Sequence, residues 1–100
     1  MGGFEQMVLV ALLRLDNRAY GMEIRREIQR RTGRDVSYGA VYTTLSRLEE
    51  KRYVSHELGE PTPERGGRAR KYFRVEPAGT DALRATREAL GVMWEGLKPV

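Results

Sequence analysis

The sequence contains no cysteine and a single histidine, His56. Without thiols it can build neither a disulfide framework nor a thiolate metal site. One imidazole, read on a surface strand, offers no ligand cluster, and Asp16, Asp35 and Asp81 share no metal-ligand spacing. Long apolar runs are also missing. Met7–Leu13 is far short of the roughly 20 residues that span a bilayer, and Glu5 stands where a secretory signal needs basic residues. No glycine-rich phosphate loop precedes a helix, since Arg65-Gly66-Gly67 falls in an expected hairpin. These absences leave no expected catalytic residue, metal or cofactor. They point to a soluble cytoplasmic chain with no membrane partner.

Basic charge and helical periodicity are present instead. Eighteen Lys and Arg against fourteen Asp and Glu give a net charge of +4 on 100 residues, a balance that favours a polyanionic partner. The length suits one domain with a modest core. Phe4 to Leu15 reads as a first helix, apolar nearly all the way round. One core covers one of its faces, so the other calls for a further helix or a second subunit. Tyr20 to Arg31 reads as a second helix with Tyr20, Ile24 and Ile28 inward and Arg25, Arg26, Arg30 and Arg31 outward. Gly33 is its expected C-terminal cap.

The segment from Ser37 to Glu50 is the most informative. Ser37 is a good N-cap, and Val41, Leu45 and Leu48 form one apolar stripe. Off that stripe stand Gly39, Ala40, Tyr42, Thr43, Thr44 and Arg47 rather than the Glu, Lys and Gln of an ordinary surface helix. Small residues let a helix sit deep against a partner, and hydroxyls with one Arg suit phosphates and base edges. Tyr38, Gly39, Tyr42, Thr43 and Arg47 are the expected DNA-reading residues. Arg47 suits either a guanine edge or a phosphate.

Tyr53–Leu58 and Arg70–Val75 read as strands around a Pro- and Gly-rich loop from Gly59 to Gly67. Phe73 and Val75 share one face of the second strand and Tyr72 and Arg74 the other. Arg65, Arg68, Arg70 and Lys71 cluster on this hairpin and suit phosphate or minor-groove contact. The N-terminus of the second helix, at Tyr20 and Gly21, is a further place for an anion. Pro77 opens a fourth helix, which is expected to carry Leu83, Leu90, Trp94 and Leu97 as a seam for another helix. The predicted fold is mainly α with a small β-hairpin. It is a winged helix-turn-helix over residues 1–76 followed by a C-terminal dimerisation helix over 77–100.

In this order the motifs resemble those of the PadR family of bacterial transcriptional regulators. Tyr20-Gly21-x-x-Ile24, Ser37-x-Gly39-x-x-Tyr42-x-x-Leu45-x-x-Leu48-Glu49 and Arg70-Lys71-Tyr72-Phe73-Arg74 followed by Gly79 are similar to its three patterns. The likeness runs over residues 4–97 and is nearest to the small subfamily with one C-terminal helix. It implies a homodimeric repressor on a pseudo-palindromic double-stranded operator, released by a small molecule or another signal. Some small members bind flat aromatic ligands between the C-terminal helices and helix 1. By that resemblance Phe4, Met7, Ala11, Leu90, Met93, Trp94 and Leu97 would form dimer core or a pocket for a planar aromatic effector. Two positions depart from the family. Arg52 stands where Gly is usual, which costs about 1 kcal/mol if the backbone is left-handed there. Glu76 stands where Thr usually caps the fourth helix. The competing expectation is a ligand-binding or protein-interaction module that no longer binds DNA, and such a module need not keep a basic wing beside a small-residue helix.

Overall fold

The computed structural model describes residues 1–59 and 70–98. The elements run α1 (Gly3–Arg14), α2 (Gly21–Thr32), α3 (Tyr38–Glu50), β1 (Val54–Leu58), β2 (Lys71–Val75) and α4 (Pro77–Trp94). This is the expected winged helix-turn-helix with one further helix. Helix and strand ends lie within a residue or so of those read from the pattern, except at the end of α4. No helix among the described residues is long and apolar enough to cross a membrane.

Three helices meet through the stripes that their spacing dictates. Val8, Leu9, Ala11 and Leu12 of α1, Ile24 and Ile28 of α2, and Val41, Leu45 and Leu48 of α3 are all buried. Val54 of β1 and Phe73 and Val75 of β2 close the core from the side. The strands pair antiparallel with Val54 opposite Val75 and His56 opposite Phe73. Ala19, between α1 and α2, bridges Phe73 from the far edge through two backbone hydrogen bonds of 3.3 and 2.8 Å. That chain segment therefore behaves as a short third strand.

The turns are fixed by specific side chains. Asn17, left-handed at φ 57, accepts the Val75 N–H at 2.7 Å and donates to the Val75 carbonyl at 3.2 Å. It does the work of a ladder residue and pins the end of α1 to β2. Gly33 ends α2 at φ 71, a conformation that costs glycine nothing. Ser37 Oγ caps α3 by accepting the Ala40 N–H at 3.0 Å. Arg52 stands at φ 64, so the non-glycine residue at the exit of α3 does take the left-handed conformation.

Two residues on helix faces expected to be outward are buried. Thr44 is only 8% exposed and packs with the α3 stripe. Glu27 is 7% exposed and accepts from Arg30 at 2.6 Å and from Arg14 of α1 at 3.0 Å. Arg30 first, and then Arg14, hold its carboxyl below the usual carboxylate range against the opposing effect of burial. This ion pair joins α1 to α2 beneath the core.

The base of α4 is clamped. Glu76 donates its N–H to the Tyr53 carbonyl at 2.9 Å. A Cβ on Gly79 would come 2.3 Å from that same carbonyl oxygen, so only glycine admits this approach. Leu83 still packs on the core, but further along the helix leaves it. Leu90, Val92, Met93 and Trp94 are exposed, Met93 by 73%. Leu97 was expected on this helix and is not. The helix stops at Trp94, Gly96 turns the chain at φ 78, and Leu97 lies beyond.

Candidate nucleic-acid interface

The N-termini of α2 and α3 and the start of β2 converge on a group of aromatic rings. Gly21 lets the two helices approach, since a Cβ there would stand 3.1 Å from Cε2 of Tyr38. Tyr38 lies 5.7 Å from Tyr42, ring centre to ring centre, and Tyr42 meets Phe73 edge-on at 6.5 Å. Tyr20 meets Tyr72 edge-on at 5.8 Å. Such edge-to-face pairs favour fixed ring positions. The rings in turn carry cations: Lys71 Nζ is 5.8 Å from the centre of Tyr42, and the Arg70 guanidinium is 4.3 Å from that of Tyr20. Tyr38, Tyr42 and Lys71 are thus brought together, with Gly21 against Tyr38 and Ser37 capping α3, while Tyr20 and Arg70 join Tyr72 in a second group on the other face of β2. Arg65 and Arg68 lie outside the described residues.

The helix caps leave donors at this place. Glu23 Oε1 accepts the Tyr20 N–H at 3.1 Å, and the amides of Gly21 and Met22 at the start of α2 make no bond among the described residues. The outward face of α3 is Gly39, Thr43, Ser46 and Glu50, with Arg47 beside Thr43, all exposed. A Cβ on Gly39 would meet nothing within 4 Å. Internal packing therefore gives no reason for glycine there, although glycine weakens a helix by about 1 kcal/mol relative to alanine.

Several residues at this surface escaped the sequence reading. Ser46 completes the outward stripe at positions 39, 43, 46 and 50, a spacing the sequence does contain. Arg18 lies over the Tyr72 ring with its guanidinium carbon 4.0 Å from the ring centre. Nothing local to Arg18 signals this contact, because it depends on the pairing of Ala19 with Phe73. His56 pairs with Glu49 of α3 and lies over Phe73, joining the wing to the helix. Among the α2 arginines expected to face outward, two have internal partners. Arg25 Nε donates to the Val36 carbonyl at 2.6 Å, bracing the turn into α3, and Arg30 binds Glu27. Arg26 and Arg31 are exposed.

Known proteins with this architecture share more than its outline. A structure of a PadR-like transcription factor from Bacteroides fragilis superposes with a TM-score of 0.75 at 25% identity, over 93% of this chain and 85% of that one. A PadR family regulator from Clostridium difficile gives 0.73 at 24% identity over 91% of each chain. A winged-helix DNA-binding protein from STIV gives 0.72 at 20% identity over 90% and 89% of the two chains, a likeness of fold alone. In sequence, a transcriptional regulator of Mycobacterium tuberculosis is 39% identical over 75 residues, which are 75% of this chain and 65% of that protein. The chain thus spans just under two thirds of that relative. Residues 8–85 match the model of the transcriptional regulator PadR-like family, a family of regulators rather than enzymes. With clamp, core, wing and aromatic cluster all inside or beside the matched span, this chain belongs to the transcriptional regulator PadR-like family.

Proposed function

We propose that this protein is a cytoplasmic, homodimeric transcriptional repressor that binds a pseudo-palindromic DNA operator and is released by a small molecule or another signal. Residues 1–76 form the DNA-binding part, and the segment from Pro77 on, with α4, serves dimerisation. The observation that carries the DNA reading is the outward face of α3. It offers Gly39 together with Thr43, Ser46 and Arg47, whose side chains have no partner among the described residues, with Lys71 on the Tyr42 ring beside it and Arg70 on the Tyr20 ring across β2. Such a face suits the major groove, where side chains meet base edges, while the cations and the free helix-start amides suit phosphates. Arg65 and Arg68 would extend the basic wing.

The dimer reading rests on α4. Leu90, Met93 and Trp94 are exposed together, and leaving apolar area in water costs roughly 25 cal/mol for each Å². A groove of about 450 Å³ between α1 and α2, lined by Met7, Val10, Ala11 and Ile28 with Arg14 and Arg31 at its rim, is a fitting seat for such a helix from a second copy. Glu88 of α4 and Glu95 just past it complement Arg31, Arg14 being already paired with Glu27 at the same groove. Two α3 helices would then enter successive major grooves about 34 Å apart. A planar aromatic effector between α4 and α1, near Phe4, Met7, Ala11, Met93 and Trp94, would act by favouring a different spacing.

Selection of bound duplexes from a random pool tests the DNA reading. The expected result is an inverted repeat with a steep dependence of affinity on salt. Failure to enrich any duplex would overturn it. Quenching of Trp94 fluorescence by planar aromatic compounds, coupled to operator release, is the result expected of the effector site.

A further inference from the structure

The outer face of the small sheet carries a stack that the α3 surface does not explain. Because Ala19 bridges Phe73, the neighbouring Arg18 and Tyr20 project to the opposite face, where Tyr72 also lies. There the Arg18 guanidinium covers Tyr72 at 4.0 Å, Tyr72 meets Tyr20 edge-on at 5.8 Å, and Arg70 covers Tyr20 at 4.3 Å. Gly59 makes room for the Tyr72 ring, since a Cβ at Gly59 would fall 2.3 Å from its Cε2. Glu57, opposite Tyr72 in the strand register, accepts from Arg18 Nε at 3.2 Å.

Glu57 uses only the inner nitrogen of Arg18. The two terminal nitrogens make no hydrogen bond among the described residues. Both partners of this ion pair are more than half exposed, where such pairs contribute little and yield readily to a stronger anion. A guanidinium seated over a ring and tied at its inner nitrogen has less rotamer freedom left to lose when it takes up a phosphate. It also stands two residues before Tyr20, the N-cap of α2, where unpaired amides already favour an anion.

We propose that Arg18 is a DNA-backbone contact, stacked on Tyr72 and restrained by Glu57, which grips a phosphate beside the α2 N-terminus. This rests on the DNA-binding reading above. Tyr72 is the positioning residue, and Glu57 is a competing anion that keeps the contact weaker than it would otherwise be.

Anisotropy of a labelled, selected duplex across a sodium chloride series, with the full chain, reads affinity and salt slope together. Arg18→Ala should weaken binding about fivefold on every sequence and lower the slope by about one. Glu57→Gln should tighten binding in the native background and much less in the Arg18→Ala background, because it acts through the guanidinium. Arg18→Gln retains an apolar stem over Tyr72 and serves if circular dichroism shows Arg18→Ala to be unfolded. A folded Arg18 variant with unchanged affinity and slope overturns the inference, while native binding in the same experiment leaves the DNA reading standing. Equal gains from Glu57→Gln in both backgrounds overturn the role given to Glu57. If the native chain binds no selected duplex, the DNA reading fails and this inference with it.

Discussion

The outward face of α3 and the far half of α4 are both left open among the described residues, yet they are open in opposite ways. On α3 the exposed residues are small, hydroxylated or basic, and cations ride on tyrosines at its margin. On α4 they are large and apolar: Leu90, Val92, Met93 and Trp94. The first surface suits a partner that is already hydrated and charged. The second gains only by leaving water. Exposure alone does not distinguish the two surfaces. The chemistry of what is exposed does.

The largest expected effect comes from erasing the second surface. Trp94→Asp should convert a dimer into a monomer in sedimentation, at a cost of roughly 2 kcal/mol or more, as for a central interface tryptophan. It should also lower operator affinity, because half-sites would then bind singly. A monomeric native protein at micromolar concentration would break the comparison at its α4 side. On the α3 side, Arg47→Ala should weaken operator binding by about 1–3 kcal/mol and relax preference at one base pair if it reads a guanine. Lys71→Ala should weaken all sequences alike and flatten the salt slope by about one. Unchanged binding in both variants would show that the DNA face lies elsewhere.

Acidification probes the scaffold that the two surfaces share. Glu27 has a folded pKa below its ordinary value of 4.5 because Arg30, and after it Arg14, favour the carboxylate. Its contribution to stability is therefore complete above the unfolded pKa and is lost as pH falls through the lower folded value. Thermal melts of Glu27→Gln should show a shallower loss of stability below pH 4.5 than the native chain does. Parallel curves would assign the acid sensitivity to other groups, Glu5 and Glu76 being the first to test, since both are also held low.

The smallest effects sharpen the α3 side. Gly39→Ala should stabilise the fold by up to about 1 kcal/mol, since a Cβ meets nothing. The same change should weaken operator binding if the backbone approaches DNA closely, so stability and affinity should move in opposite directions. Improvement of both would mean that Gly39 is not at the interface. Arg52→Gly should also add up to about 1 kcal/mol, because the residue is left-handed. A drop in melting temperature would reveal a contact that offsets the strain.

Most of the fold was legible because it follows from local periodicity. The stripes at Ile24 and Ile28 and at Val41, Leu45 and Leu48, the cap at Ser37 and the stop at Gly33 are all patterns within a few residues. What escaped depends on distant pairing. Glu27 sits among arginines and looks solvated until Arg14 of α1 is placed against it. Arg18 looks like a loop residue until the Ala19–Phe73 bridge lays it over Tyr72. His56 meets Glu49 only because the wing folds back beside α3. Leu97 differs for another reason: its heptad-like spacing is real, but α4 ends at Trp94, Glu95 is already extended, and Gly96 turns the chain away. On the α3 side, the grouping of Tyr20, Gly21, Tyr38 and Tyr42 was legible as a motif, while the edge-to-face geometry that fixes their positions was not.

The close approach of Gly79 to the Tyr53 carbonyl turns α4 into a cantilever. Its first turn is fastened beside the exit of α3, and its 18 residues extend roughly 27 Å from that fastening. A tilt of about 5° at the base moves the tip by about 2 Å over such a length. In the proposed dimer each tip is held by the partner, so the geometry runs in reverse. A small push at the tip would become a rotation at the base, delivered to the wing through Tyr53 and Val54. The side chain that glycine lacks at position 79 is what keeps that pivot free of slack.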